Sequence, residues 1–349
     1  MSTVKINRII AMATDPIYVG TGGFTIGRVD NTIVRDPITR IPKIPGSSMA
    51  GTWRYYMALE LVSQIKEKQP HLNDIKNESD KSFDGKINQF IQSDKCDSFW
   101  KTKADKEWQK YCGNLIAKIS CAGQDETSQA NIENAPFEKN KENKSGHCGH
   151  CIVCKAFGFS KNDLSNQGML FFSDLSILFF PVYTRLGTKW ITSPKLLNKE
   201  IDIAENQIKT SKGDERHLNL GWLNLEVSGK HNISDVEKYK LEAKNIIIVP
   251  DSLISQIINS NLEVRTSVSI DPITGAAKDK ALFTSEAIPR GTIFCGEVRG
   301  FNREGGNSLP KLGDIWRALN DSKQYYQSLG IGGMTTRGFG RMEILGELS

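Results

Sequence analysis

The spacing of apolar positions changes several times along the chain, and each change predicts an element. Val4 to Met12 is apolar and β-branched and predicts a first strand. Tyr18 to Ser48 is punctuated by Gly and Pro with short β-branched runs between, the texture of loops and hairpins. The period then becomes helical: Met49, Trp53, Tyr56, Met57, Leu61 and Ile65 share one face, with Ser47 and Ser48 as expected N-caps. Leu175 to Val182 is a continuous apolar run of the length of a buried strand, and Met169–Phe172, Ile246–Pro250 and Leu262–Ile270 also read as strands. Leu196 to Asn232 reads as polar loop, and Asp271 to Val298 as a stretch broken by Pro and Gly. Leu312, Ile315, Trp316, Leu319, Tyr326 and Leu329 predict a second amphipathic helix with Gly330 as its stop, and Arg341 to Leu345 a last strand. Strands and two long helices interleave without a fixed repeat, which predicts an α+β fold.

One segment breaks this pattern. Gln64 to Ser145 carries 14 Lys and no Arg against 14 acids and little periodicity, so it reads as an insertion. The 349 residues suggest two domains, or one with such an insertion. The hydrophobic fraction is 38%, which excludes neither a packed core nor a large polar surface. Seven cysteines are too few, and odd in number, for a disulfide-stapled secreted scaffold. The start MSTVKINRIIAMATDP lacks the layout of a signal peptide, and no run approaches the ~18 apolar residues of a membrane span. The expectation is a cytoplasmic protein without a membrane partner, its cysteines free, metal-binding or catalytic. The formal charge of +5 permits an anionic partner without demanding one.

Four places carry candidate chemistry. In HCGHCIVC, Cys148, Cys151 and Cys154 stand at C-x₂-C-x₂-C spacing beside His147 and His150. Three thiolates and an imidazole suit tetrahedral, structural Zn²⁺; His147, His150, Cys121 and Cys112 all qualify as the fourth ligand. The absence of H-x-E argues against a catalytic zinc deaminase. In PGSSMAGTWR, Gly46, Ser47, Ser48 and Gly51 open a helix whose N–H groups suit a phosphate, with Arg54 two turns on; capping and packing alone explain the same residues. In GIGGMTTRGFGR, Gly332, Gly333, Thr336, Arg337, Gly338 and Arg341 have the composition of an anion-binding loop, and Phe339 offers a ring on which a base can stack. A tight helix-to-strand connection explains one or two of its five glycines. Asp30, in a Gly-rich loop near Arg28 and Arg35, is by itself an ordinary turn former, and His217 an ordinary exposed histidine.

Taken in order, these motifs and VRTSVSIDPITGAAKDKALFTSEAIPRGTIF resemble the RAMP-superfamily (Cas-seven-type) backbone subunits of type III CRISPR effector complexes. The resemblance covers the first ~60 residues, the cysteine region and the last ~90. It implies a modified RRM, or ferredoxin-like, fold over residues 1–349. Within it, 64–145 would be an insertion, 146–158 a zinc-binding segment, 264–298 a thumb hairpin and 330–341 the glycine-rich loop. It implies that Asp30 cleaves target RNA, that Arg35, Gly46, Ser47, Ser48, Gly51 and Arg54 face RNA, and that Ile273, Thr274, Ala276 and Lys278 belong to a hairpin pushed between paired bases. It implies His147 as fourth zinc ligand beside Cys148, Cys151 and Cys154. Where many relatives have Lys this chain has Ala50, so one phosphate contact is missing.

The partners implied are guide RNA, complementary single-stranded target RNA and other complex subunits. The cleavage implied depends on Mg²⁺ or another divalent cation and uses the RNA 2′-OH to leave a 2′,3′-cyclic phosphate. A subunit that only holds guide RNA, or a guide-processing ribonuclease, would share much of this sequence. Between Gly20 and Arg54 there are five basic and two acidic residues, and Gly330 to Arg341 adds two arginines and no acid. These two segments together match the net charge of the whole chain.

Overall fold

The computed structural model describes residues 4–22, 29–68, 122, 152–161, 164–211, 216–302 and 310–349. Nearly all of the expected 64–145 insertion, together with Arg28, Cys112, Cys121, His147, Cys148, His150 and Cys151, lies outside the described residues.

Strand β1 (Val4–Ala13) buries alternate residues Ile9, Ala11 and Ala13. It lies between β14 (Ile293–Phe301) and β15 (Met342–Leu345), antiparallel to both. β14 in turn pairs with β5 (Leu170–Phe172) and β6 (Leu175–Thr184), and β2 (Lys43–Ile44) pairs with β6. From β6 the sheet continues through β7 (Gly187–Thr192), β11 (Ile246–Ile248), β8 (Gln207–Thr210), β10 (Leu223–Lys230) and β9 (His217–Leu220). Eleven strands form this mixed sheet, with β7–β11 and β8–β10 parallel. Two hairpins stand apart: β3 (Gly158–Lys161) with β4 (Leu164–Gln167), and β12 (Glu263–Ile270) with β13 (Ala277–Ala287).

Helix α1 (Gly46–Lys68) follows the predicted face, with Met49, Trp53, Tyr56, Met57 and Leu61 buried. Full burial of such a side chain contributes roughly 1.5–3 kcal/mol. α1 packs beside a later helix (Leu312–Ser322), and Trp53 donates to the Leu319 carbonyl and to Ser322 Oγ, each at 3.2 Å. A short helix (Ile152–Phe157) and a ten-residue helix (Asp251–Ser260) complete this cluster. β6 is buried along most of its length because its other side meets Ile233, Val236, Tyr239 and Leu241. That double burial explains its continuous apolar run.

Three expectations need correction. Ser47 and Ser48 are in the first turn of α1 and not its caps: the helix begins at Gly46, whose N–H donates to Asp174 Oδ1 at 2.8 Å. The predicted second helix stops at Ser322 and resumes as one turn (Tyr325–Ser328); Tyr326 enters the core edge-on to Trp53, while Leu329 is exposed. Strands β8–β10 occupy much of the expected 196–232 loop, their buried residues alternating as Ile208 and Thr210, and Leu218 and Leu220.

β14, central to the sheet, begins within the stretch read as punctuation and runs three residues past it, with Gly296 and Gly300 interrupting its apolar pattern. Both are required by close approach. A Cβ on Gly300 would lie 2.5 Å from Trp316 Cζ2 and 2.6 Å from Leu312 Cδ1. On Gly296 it would lie 2.4 Å from Leu175 Cδ2 and 2.8 Å from the Asp174 carbonyl oxygen. Gly300→Val should therefore overpack the helix–sheet contact and lower stability by about 1–3 kcal/mol in thermal or denaturant unfolding. Gly229→Ala, where an added Cβ meets nothing within 4 Å, should fall within about 0.5 kcal/mol of the parent.

Candidate nucleic-acid interface

β12 and β13 form a hairpin, while residues 293–298 of the expected 264–298 region belong to β14 of the main sheet; the root of the hairpin meets the Asp30 segment and the glycine-rich loop. Residues 30 and 31 lie along β13: Asn31 N donates to the Thr284 carbonyl and Glu286 N to the Asn31 carbonyl, both at 3.0 Å. Asp30 is placed by Thr284. The Thr284 N–H and Oγ1–H donate to Asp30 Oδ2 at 2.7 and 3.0 Å, and Asp30 N–H donates back to Thr284 Oγ1 at 3.1 Å. These two donors, the backbone one first, hold the Asp30 carboxyl below the usual carboxylate range, so it is ionised at neutral pH although fully exposed.

Arg35 is bound just beyond. Its Nη2 meets Glu286 Oε2 at 2.6 Å, its Nε donates to Asn259 Oδ1 at 2.9 Å and its Nη1 to the Ile33 carbonyl at 3.0 Å. Its guanidinium thus joins three elements of the protein and has a structural part here. The tip of the hairpin is polar-capped and apolar at its end. Asp271 Oδ1 accepts from the amides of Ile273 and Thr274, an Asx turn, and Ile273 is 92% exposed. Thr274 and Ala276 are also exposed; the side chain of Lys278 lies outside the described residues.

The glycine-rich loop joins this surface through residues 16–21. Gly340 N donates to the Pro16 carbonyl and Gly333 N to the Tyr18 carbonyl, while Val34 N and Thr21 N bond the other way, to Val19 and Thr32. Gly330, Gly332, Gly338 and Gly340 all take positive φ, and a Cβ on Gly332 would lie 2.2 Å from the Tyr18 oxygen. The tight connection therefore explains four of the five glycines, more than the sequence reading allowed. Phe339 is likewise not an exposed stacking surface. It is buried, edge-on to Tyr18, and its ring face is taken by the Arg265 guanidinium 4.7 Å from the centroid. Arg265 also donates to the Gly338 carbonyl at 3.2 Å, which fastens β12 to the loop. Thr336, Arg337 and Gly338 form its exposed edge, and Arg341 pairs with Asp15.

On α1, Ser47, Gly51 and Arg54 fall at i, i+4 and i+7, with Ser47 and Gly51 exposed and Arg54 half-buried. An added Cβ at Gly51 meets nothing within 4 Å, so packing does not require glycine there. A helix-interior glycine costs roughly 0.5–1 kcal/mol relative to Ala, and what it leaves is a bare, approachable stretch of helix. Arg54 Nη1 donates to the Gly158 carbonyl at 2.8 Å, linking this stripe to the segment after the cysteines. Cys154 is buried on the Ile152–Phe157 helix; among the described residues no group of three or more metal-ligating side chains gathers. His217 is exposed on β9, the end strand of the sheet order, away from these motifs. Thr284 and Arg265, which connect the motifs, carry no sequence signal of their own: Arg265 falls in an expected strand and Thr284 in the stretch broken by Pro and Gly.

Comparison with known proteins gives the family and the fold. A family model described as the RAMP superfamily matches residues 11–343. The CRISPR system Cms endoribonuclease Csm3 of Methanothermobacter thermautotrophicus is 51% identical over 45 residues, 13% of this chain and 18% of that protein. Its counterpart from Streptococcus thermophilus is 36% identical over 73 residues, 21% of this chain and 33% of that protein. These matches span a third or less of the relatives' length. A subunit in the solved apo structure of a type III-B Cmr-beta complex superposes with a TM-score of 0.54 at 14% identity, over 97% of this chain and 96% of that one, and shares the fold. Among the described residues no helix is long and apolar enough to cross a membrane. With most of its sheet, its hairpin and its glycine-rich loop inside the matched span, the chain belongs to the RAMP superfamily.

Proposed function

We propose that this chain is a guide-RNA-binding backbone subunit of a type III CRISPR ribonucleoprotein and that it cuts complementary target RNA with Asp30. The observation that carries the proposal is the placement of one exposed, ionised carboxylate at the root of a projecting hairpin, on a surface shared with the glycine-rich loop. The endoribonuclease relatives and the effector-complex fold neighbour support it.

The guide backbone would run over the open stripe Ser47–Gly51–Arg54 and the edge Gly332, Gly333, Thr336, Arg337 and Gly338. Ser47 and Thr336 offer hydroxyls, and Arg54 and Arg337 cationic side chains, to phosphate and not to base edges, as suits a subunit that leaves sequence reading to base pairing. Ile273, at the tip, is an apolar wedge of the kind that parts stacked bases. A nucleotide displaced by the hairpin leaves its 2′-OH free to align with the adjacent phosphorus, and such alignment accounts for a large part of the barrier. Asp30 is a weak proton acceptor because Thr284 stabilises its ionised form, so its part is to orient the 2′-OH rather than to remove the proton in bulk. Its exposed charge would also help hold a divalent cation, which when bound would offset charge on the phosphate. The cysteine segment would hold one structural Zn²⁺ through Cys148, Cys151, Cys154 and His147 and fix the end of the insertion to the body.

Asp30→Ala in the assembled complex should lower target cutting by about 10²-fold or more, measured in single-turnover assays, with guide RNA content unchanged. Cutting at the parent rate would remove the catalytic assignment. Metal analysis of the purified protein should find about one zinc per chain; none, or iron in its place, would overturn the zinc proposal.

A further inference from the structure

We propose that Thr284 is the positioning residue for Asp30, fixing the carboxylate to the hairpin instead of to its own loop. The inference rests on the reading of Asp30 as the cleaving residue. Three hydrogen bonds join the two residues, and the Thr284 hydroxyl takes part in two of them, as donor to Asp30 Oδ2 and as acceptor from Asp30 N–H. A hydroxyl has one donor and two acceptor sites, so a single Oγ1 can close this ring. Threonine in a strand is stiff at χ1, which presets the hydroxyl direction.

The need for such a holder follows from the setting of Asp30. Its side chain is exposed, and an exposed aspartate otherwise samples several rotamers. A misplacement of about 1 Å at a reacting group can cost roughly 10²-fold in rate. Thr284 lies on β13 directly opposite Thr266 on β12. The carboxylate is therefore indexed to the same strands whose far end carries Ile273, so nucleotide displacement at the tip and carboxylate placement at the root share one rigid unit.

The test uses the assembled complex with guide RNA and a complementary target. Thr284→Val, which keeps the shape and the backbone donor but loses the hydroxyl, should lower kcat by roughly 10–10²-fold with KM and guide content unchanged. Thr284→Ser should restore the rate to within a few-fold. Thr266→Val, the same change on the paired residue with no bond to Asp30, should cut at nearly the parent rate. Parent-like cutting by Thr284→Val, equal losses in Thr284→Val and Thr266→Val, or a raised KM with kcat intact would each overturn the proposal. If Thr284→Val fails to retain guide RNA, Thr284→Ala is read by the same criteria. An Asp30→Ala complex that still cuts would defeat the underlying reading; loss in Asp30→Ala with none in Thr284→Val or Thr284→Ala would defeat this inference alone.

Discussion

At the root of the hairpin a guanidinium and a carboxylate meet at 2.6 Å, with the Glu286 side chain only 10% exposed. A charge so far out of water is tolerated because its partner is there, and loss of one member would leave the other uncompensated. Arg35 reaches Glu286 on β13, Asn259 on the Asp251–Ser260 helix and the Ile33 carbonyl two residues before it. Such a pair adds modest net stability but sets register strongly, since a shift of one residue in 29–35 would strand both charges. The register it sets is the one that lays Asp30 against Thr284.

The rest of the surface is built outward from that register by backbone hydrogen bonds. Residues 16–21 are bonded on one side to 32–34 and on the other to Gly333 and Gly340. Arg265 closes the circuit from β12 to the loop through Gly338 and Phe339. On the proposed RNA path this framework would present hydroxyls and the cations Arg54 and Arg337 from elements locked onto a buried core. That suits repeated binding along a backbone, where shape and phosphate matter and sequence does not.

The amphipathic face of α1, the strand β1 and the buried run of β6 were legible because each has a periodic apolar pattern set by one or two packed faces. β14 was not, since Gly296 and Gly300 are there for the sake of Leu175 and Trp316, residues distant in sequence. Asp30 and the loop 332–341 were found through family resemblance more than through spacing. The glycines of that loop turned out to serve its own closure as well, and Phe339 proved to pack against Arg265. Arg35 shows the limit of reading charge in one dimension: a cation in a basic segment was expected to face RNA, and Glu286, two hundred and fifty-one residues away, engages it. Thr284 and Arg265 gain their roles only when β12, β13 and the N-terminal segments are brought together.

The central claim is that this surface carries a guide RNA. Purification of the native complex, followed by sequencing of its RNA and mapping of ultraviolet cross-links on the chain, tests it most directly. The account predicts repeat-derived guide RNA cross-linked within Gly46–Arg54 and Gly332–Arg341. A complex free of such RNA, or cross-links confined to other faces of the sheet, would contradict it.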